Sequence, residues 1–190
     1  MPEIICNIAL KEWAVTGEAL GQGRQIILLR KGGLLDEDGS FCLEHGQFFL
    51  LPTWLHQEKS LVKPQHQDLF DVSQKMKGES VQAPYLRHFA RVEATWHLEE
   101  RDEALLKIAP HIYAQSYLDL RFNYQSDKPL LCAALRVWEL ESPLPYAMRP
   151  QDMGCRSWIE METPLECAAH PVLDDASFAQ SLDELSELFR

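Results

Sequence analysis

From Phe89 to Leu98 apolar and polar side chains alternate without a break, and this stretch restricts the fold more than any other. Ala90, Val92, Ala94, Trp96 and Leu98 fall on one side of an extended backbone and Arg91, Glu93, Thr95 and His97 on the other, which predicts a half-buried strand. A second strong strand is expected over residues 130–140. It is entered after Pro129 and ended near Pro143-Leu144-Pro145, the pattern of a sheet edge or an abrupt exit. Residues 25–30 form a continuous aliphatic run with β-branched Ile26 and Ile27, short enough for a buried strand. Asp38-Gly39 marks a turn, and residues 41–51 supply one or two returning strands, so this region reads as a hairpin-like unit. Residues 157–161 predict one shorter strand.

Helical spacing appears in the intervals. Asn7 is a candidate cap for a helix in which Leu10, Trp13, Ala14 and Leu20 form the apolar stripe, with Lys11, Glu12 and Glu18 toward water and Gly21 and Gly23 at its end. Pro52 is expected to break the sheet, and residues 56–75 to form one or two short helices interrupted at Pro64. Residues 78–84 read as a loop, and residues 100–109 and 112–120 as helices divided by Pro110-His111. The tail, residues 174–189, places Phe178, Leu182, Leu185 and Phe189 on one side of an amphipathic helix. This irregular order predicts a single α+β domain over residues 1–190. Its sheet should be mixed or mainly antiparallel, with a barrel-like form included, and flanked by helices.

Composition narrows the partners. The chain has 29 acidic and 18 basic residues, a net charge of −11. The excess acid lies in the second half, so a polyanion is repelled at long range and non-specific sliding on duplex DNA is disfavoured. A local basic site survives, because screening confines distant charges to a Debye length of about 8 Å. No apolar run approaches the roughly 18 residues of a membrane span. Met1-Pro2-Glu3 lacks the basic and apolar regions of a secretory leader, and the five scattered cysteines contain no C-x-x-C pair. A cytoplasmic protein with reduced thiols is expected.

Arg30-Lys31-Gly32-Gly33 ends the buried strand with two cations and two residues able to turn their amides toward an anion, which suits phosphate. It matches neither a Walker loop nor a dinucleotide-binding turn, and a plain exit of the strand into solvent is the alternative. Glu44-His45 and His56-Gln57 would lie near one end of the same sheet, where they suit polar ligand contacts or acid–base chemistry. Arg121 adds a second cation, with a surface ion pair as the alternative. An enzyme reading, a metal-assisted phosphodiesterase, would use Glu44, His45, His56 and His111, although no H-E-x-x-H or carboxylate cluster appears. Trp54 and Trp158, in polar or turn-rich surroundings, are the tryptophans to test for base stacking. Cys155 and Ser157 are conceivable nucleophiles without a nucleophile-elbow motif. No strand carries the acids and lysine of a restriction-type nuclease centre.

The blocks "LKEWAVTGEAL", "GRQIILLRKGG", "FFLLPTWLHQ", "HIYAQSYLDLRF", "LRVWELESPLP" and "GCRSWIEME" together resemble a bacterial family of unknown function, number 1802. That resemblance implies no established activity or cofactor. It does imply a link to restriction and modification, through occasional association with Mrr-type nuclease domains. Gly23 and Arg30 also resemble two positions of the G-x-K-x-x-E-x-R signature of ASCH modules, with Gln25 and Leu28 in place of lysine and glutamate. This second resemblance implies a barrel-like sheet with a cleft for nucleic acid or nucleotide. The resulting expectation is a binding module for nucleic acid or a nucleotide, using Arg30, Lys31, Gly32, Gly33, His45, His56, Gln57 and Arg121. The alternatives are the hydrolase and an acidic adaptor that docks a protein partner through the C-terminal helix.

Overall fold

The computed structural model describes residues 3–31, 43–77, 83–154 and 156–190. The chain opens with strand β1 (Glu3–Trp13), followed by helix α1 (Ala14–Gly21) and strand β2 (Ile27–Arg30). The expected helix from Asn7 is therefore a strand as far as Trp13. β-branched Ile4, Ile5 and Ile8 favour the extended backbone, and β1 has a strand on each side to take up its N–H and C=O groups. Gly23 follows α1 with a φ of +65°, and a Cβ on Gly21 would collide with the imidazole of His88.

Strand β3 (Gln47–Thr53) and helix α2 (Gln67–Lys77) come next, with two short 3-10 turns between them, the second begun by Pro64. Strand β4 (Tyr85–Leu98), helix α3 (Glu103–Ile108) and helix α4 (Gln115–Asn123) follow. Strand β5 (Leu130–Pro145), strand β6 (Trp158–Pro171) and helix α5 (Asp175–Leu188) complete the chain. The fold is α+β, with a mixed six-stranded sheet in the order β2-β5-β4-β3-β1-β6. Among the described residues only β1 and β3 pair in parallel, and a further β5–β6 pairing links five strands into a ring that leaves β2 outside it.

The hairpin-like unit does not form. β2 pairs antiparallel with β5, whereas β3 lies between β4 and β1. β2 is apolar on both faces, and β5 gives it small partners in Cys132, Ala133 and Ala134, so both faces can be covered. The expected turn around Asp38-Gly39 lies outside the described residues. β5 is not an edge strand either, since β2, β4 and β6 all pair with it. Pro145 pairs with Tyr85 of β4 at the end of the strand and Pro143 falls in the irregular stretch between Glu139 and Leu144, places where a missing N–H is tolerated. Pro52 does not stop β3; it pairs in register with Glu12, one residue before the strand ends.

The alternation in β4 is real, but its five apolar residues do not share one face. A bulge puts both Val92 and Glu93 against the step between Leu135 and Ala134, so side-chain direction reverses there. Ala90 and Val92 join Phe48, Leu50, Leu135 and Val137, whereas Ala94, Trp96 and Leu98 join the cluster under the helices.

That helical cluster also takes the apolar side of α5. Phe178 and Leu185 are buried, Leu182, Leu188 and Phe189 pack beside them, and Asp174 caps the helix by accepting from the Ser177 N–H at 2.8 Å. The apolar side of the C-terminal helix is thus covered by the chain's own core. Among the described residues no helix is long and apolar enough to cross a membrane. Leu185→Ala should lower the unfolding free energy by about 2–4 kcal/mol in urea denaturation. An unchanged midpoint would mean that α5 is not integral to the fold.

Candidate functional site

The parallel strands β1 and β3 end side by side, with Trp13 in register with Thr53. At these ends a cleft of about 220 Å³ opens. Lys11, Glu12 and Trp13 form one side, and Arg30 and Lys31 at the end of β2 extend it. Thr53, Leu55 and His56 form the second side, Arg121 of α4 reaches in, and Gly154, Arg156 and Ser157 close it as a lip ahead of β6.

Arg30 organises the floor. Its guanidinium donates to Glu12 Oε2 at 3.1 Å, to the Lys11 carbonyl at 3.3 Å and to Ser157 Oγ at 2.6 Å. Glu12 is only 4% exposed, and its other oxygen accepts from the Trp13 N–H at 2.8 Å, so a buried carboxylate has both a cation and an amide. Lys31 bends away from the opening to donate to the Phe122 carbonyl at 3.2 Å, near the C-terminal end of α4. Burial pushes its ammonium down, with Asp127 opposing. Arg121 lies over two rings, 4.9 Å from the Tyr117 centroid and 5.7 Å from that of Trp13, and Trp13 itself meets Tyr117 edge-on.

The lip is fixed by a second polar knot. Lys11 Nζ donates to the Asp152 carbonyl and, at 3.0 Å, to that of Gly154. Arg149 grips the Asp152 carboxylate through two nitrogens at 2.8 and 2.9 Å, and Tyr146 adds its hydroxyl at 2.7 Å. Burial alone would raise the Asp152 carboxyl, but the Arg149 and Tyr146 hydrogen bonds outweigh it and hold it at about 2.

The other side is a strained but anchored tip. His56 has a φ of +61°, uncommon for a residue with a Cβ, and both it and Leu55 are exposed. Trp54 Nε1 donates to the Ser73 carbonyl at 2.7 Å just before the tip. Gln57 just after it donates to Ser73 Oγ at 3.3 Å and accepts from the Val15 N–H at 3.3 Å.

Of the residues expected from sequence, Arg30, Lys31, His56 and Arg121 come together in this cleft. Gln57 is buried behind it as an anchor, and His45 lies outside, edge-on to Trp158 at 5.1 Å. Gly32 and Gly33 lie outside the described residues, as does Cys155. His111 is buried among the helices. Its Nδ1 accepts from the Tyr113 N–H at 3.1 Å, so Nε2 carries the proton and donates to the Leu106 carbonyl at 2.6 Å. The acid and three histidines of the hydrolase reading therefore do not converge. Among the described residues no three metal-capable side chains do. Trp54 is held by Ser73, and Trp158 packs on Phe48.

Sequence reasoning missed Lys11, Glu12, Trp13 and Arg156. The first three were assigned to a helix, where Lys11 and Glu12 would face water. Extended, they lie at a strand end directed to the cleft. Arg156 carried no signal beyond its place in a turn.

A family model described as a domain of unknown function, DUF1802, matches residues 9–184. The chain belongs to the DUF1802 family. The DUF1802 match takes in every cleft residue named above. Among solved structures, the ASCH protein of Zymomonas mobilis is similar at 14% identity and a TM-score of 0.43, over 94% of each chain. Two single-residue mutants of that protein are similar at 12% and 11% identity, with TM-scores of 0.43 and 0.42. The first covers 94% of each chain, and the second covers 94% of this chain and 96% of its own. Comparison with curated proteins gave no match.

Arg30→Ala would leave Glu12 buried without its cation, so it should destabilise the fold by about 3–5 kcal/mol, read by urea denaturation. Burial pushes both His88 and His111 down to about 4. An unfolded histidine titrates near 6.5, so below that pH only the unfolded chain takes up the proton. Stability is full above about pH 6.5 and should fall as the pH drops toward 4, by about 2 kcal/mol per imidazole at pH 5. His88→Leu should remove about half of this acid sensitivity in denaturation curves compared between about pH 7 and about pH 5.

Proposed function

We propose that this DUF1802 protein is a binding module for nucleic acid or nucleotides that takes phosphate into the cleft at the ends of β1, β2 and β3. Charge carries the reading. On a chain of net charge −11, the cleft gathers Lys11, Arg30, Lys31, Arg121 and Arg156, and among the described residues Glu12 is its single acid. Chance placement of 18 bases among 29 acids would give the opposite balance. A concave site lined by one sign of charge also focuses its field on the opening, where a phosphate would sit.

The cations divide by role. Lys11, Arg30 and Lys31 are held against carbonyls or Glu12, so they contribute field and shape. Arg121, stacked on rings, and Arg156, exposed on the lip, would contact the ligand, with His56 on the second side of the cleft. Fixed guanidinium groups suit phosphate because their planar N–H edges match two oxygens at once.

Fluorescence anisotropy with short labelled RNA and DNA across a salt series tests the reading. Binding should saturate at low salt and weaken as salt rises, with a log–log slope of about −0.7 per phosphate neutralised on a single strand. Arg156→Gln, an exposed change that leaves the Arg30–Glu12 pair intact, should weaken binding and reduce that slope by about 0.7. No saturable binding, or identical behaviour of wild type and Arg156→Gln, overturns it.

A further inference from the structure

The basic cleft does not end at its own wall. A second hollow, about 260 Å³ in volume, shares Lys11, Thr53, Leu55 and Gly154 with it, and the two meet across the Leu55–His56 tip. Its character is different. Pro52, Trp54, Met148 and Met153 line it together with Leu55, and both Leu55 (61%) and Met153 (50%) are large apolar side chains left open to solvent. The indole N–H of Trp54 is already given to Ser73, so only its apolar body is left for the hollow. One more cation, the exposed Lys77 at the end of α2, lines this hollow and not the basic cleft. The apolar hollow is thus bracketed by positive charge, with Arg121 and Arg156 across the shared wall and Lys77 on its own rim.

We infer that the composite groove takes an unpaired nucleotide within a single strand, its base in the hollow against Leu55 and Met153 and its flanking phosphates toward Arg156 on one side and Lys77 on the other. This rests on the phosphate reading of the basic cleft and extends it to a class of nucleic acid. Three observations select that class. A flat apolar body next to an anion is the chemistry of a nucleotide, and the hollow supplies the apolar surface beside the cations. A free mononucleotide carries its phosphates on one side of the base, whereas a strand carries them on both, as the bracketing cations require. In a duplex each base face is covered by its neighbours, so a base can enter a concave hollow only when it is unpaired. The strained tip between the two compartments, anchored by Trp54 and Gln57, holds Leu55 and His56 in place before any ligand arrives.

The test compares a labelled single strand, the same sequence as a duplex, the same strand made abasic at its central positions, and mononucleotides as competitors. The wild-type protein should prefer the single strand to the duplex by at least about tenfold. Leu55→Ala, at an exposed position, should weaken single-strand binding by about fivefold, on the scale of one to two methylene groups no longer buried against the base, and should leave the abasic strand unaffected. Lys77→Gln should lower the salt slope on the strand by about 0.7. Equal affinity for duplex and strand, mononucleotide competition as effective as that of the strand, or an unaltered Leu55→Ala protein overturns this inference. In each of those cases the Arg156→Gln defect would persist if phosphate binding itself is right. Loss of all binding together with a silent Arg156→Gln would remove both.

Discussion

The guanidinium of Arg30 ties together the ends of strands that lie apart in the sheet order. β2 and β1 are separated by three strands in the sheet order, yet Arg30 at the end of one donates to Glu12 and the Lys11 carbonyl at the end of the other, and to Ser157 just before β6. A buried ion pair contributes little net stability once the desolvation of both charges is subtracted. What it contributes here is position. Once Glu12 is buried it must have a cation, and the cation that reaches it pulls the end of β2 across the mouth of the ring. Lys31, the next residue, then donates to the Phe122 carbonyl of α4, and α4 brings Arg121 to the same opening.

Element type was legible in the sequence where side-chain period alone determines it. The alternation in β4, the aliphatic run of β2 and the apolar spacing of α5 each follow from a local pattern, and each appears in the structure. Partner choice was not legible, because turn residues near Asp38-Gly39 favour a local hairpin and carry no information about β5. The bulge at Val92–Glu93 shows the same limit: ten alternating residues specify a strand, but one extra residue against the partner sends half of them to a different core. The N-terminal region failed for another reason. Leu10, Trp13 and Ala14 fit a helical stripe, but strands on both sides of β1 override that weak preference up to Trp13, and the helix starts only at Ala14.

That single displacement accounts for most of what was missed at the site. A helical Glu12 would be one more solvated acid on an acidic chain. In the strand it is the buried partner that fixes Arg30. Arg30, Lys31, His56 and Arg121 were identifiable because charged residues beside an apolar strand end or a helix junction stand out from their surroundings. Gln57 and His45 stood out equally, but their polar groups serve the protein: one anchors a tip and the other packs on an indole. Sequence marks a polar residue in an unusual place and does not say whether its partner is a ligand or its own backbone.

The two sides of the cleft share one physical logic. A backbone at positive φ with a Cβ costs on the order of 1 kcal/mol or more, and a loop free to relax would abandon it. The His56 tip keeps it because Trp54 and Gln57, on either side, are both tied to Ser73 in α2. The opposite lip is tied down just as firmly, by Lys11 on two carbonyls and by the Arg149–Asp152–Tyr146 knot. Neither side then needs much ordering when a ligand enters, so less of the interaction energy is consumed in freezing the protein. For an acidic chain this matters more than for a basic one. Long-range attraction cannot raise its affinity for a polyanion, so the free energy of binding must come from a few short-range contacts whose positions are fixed beforehand.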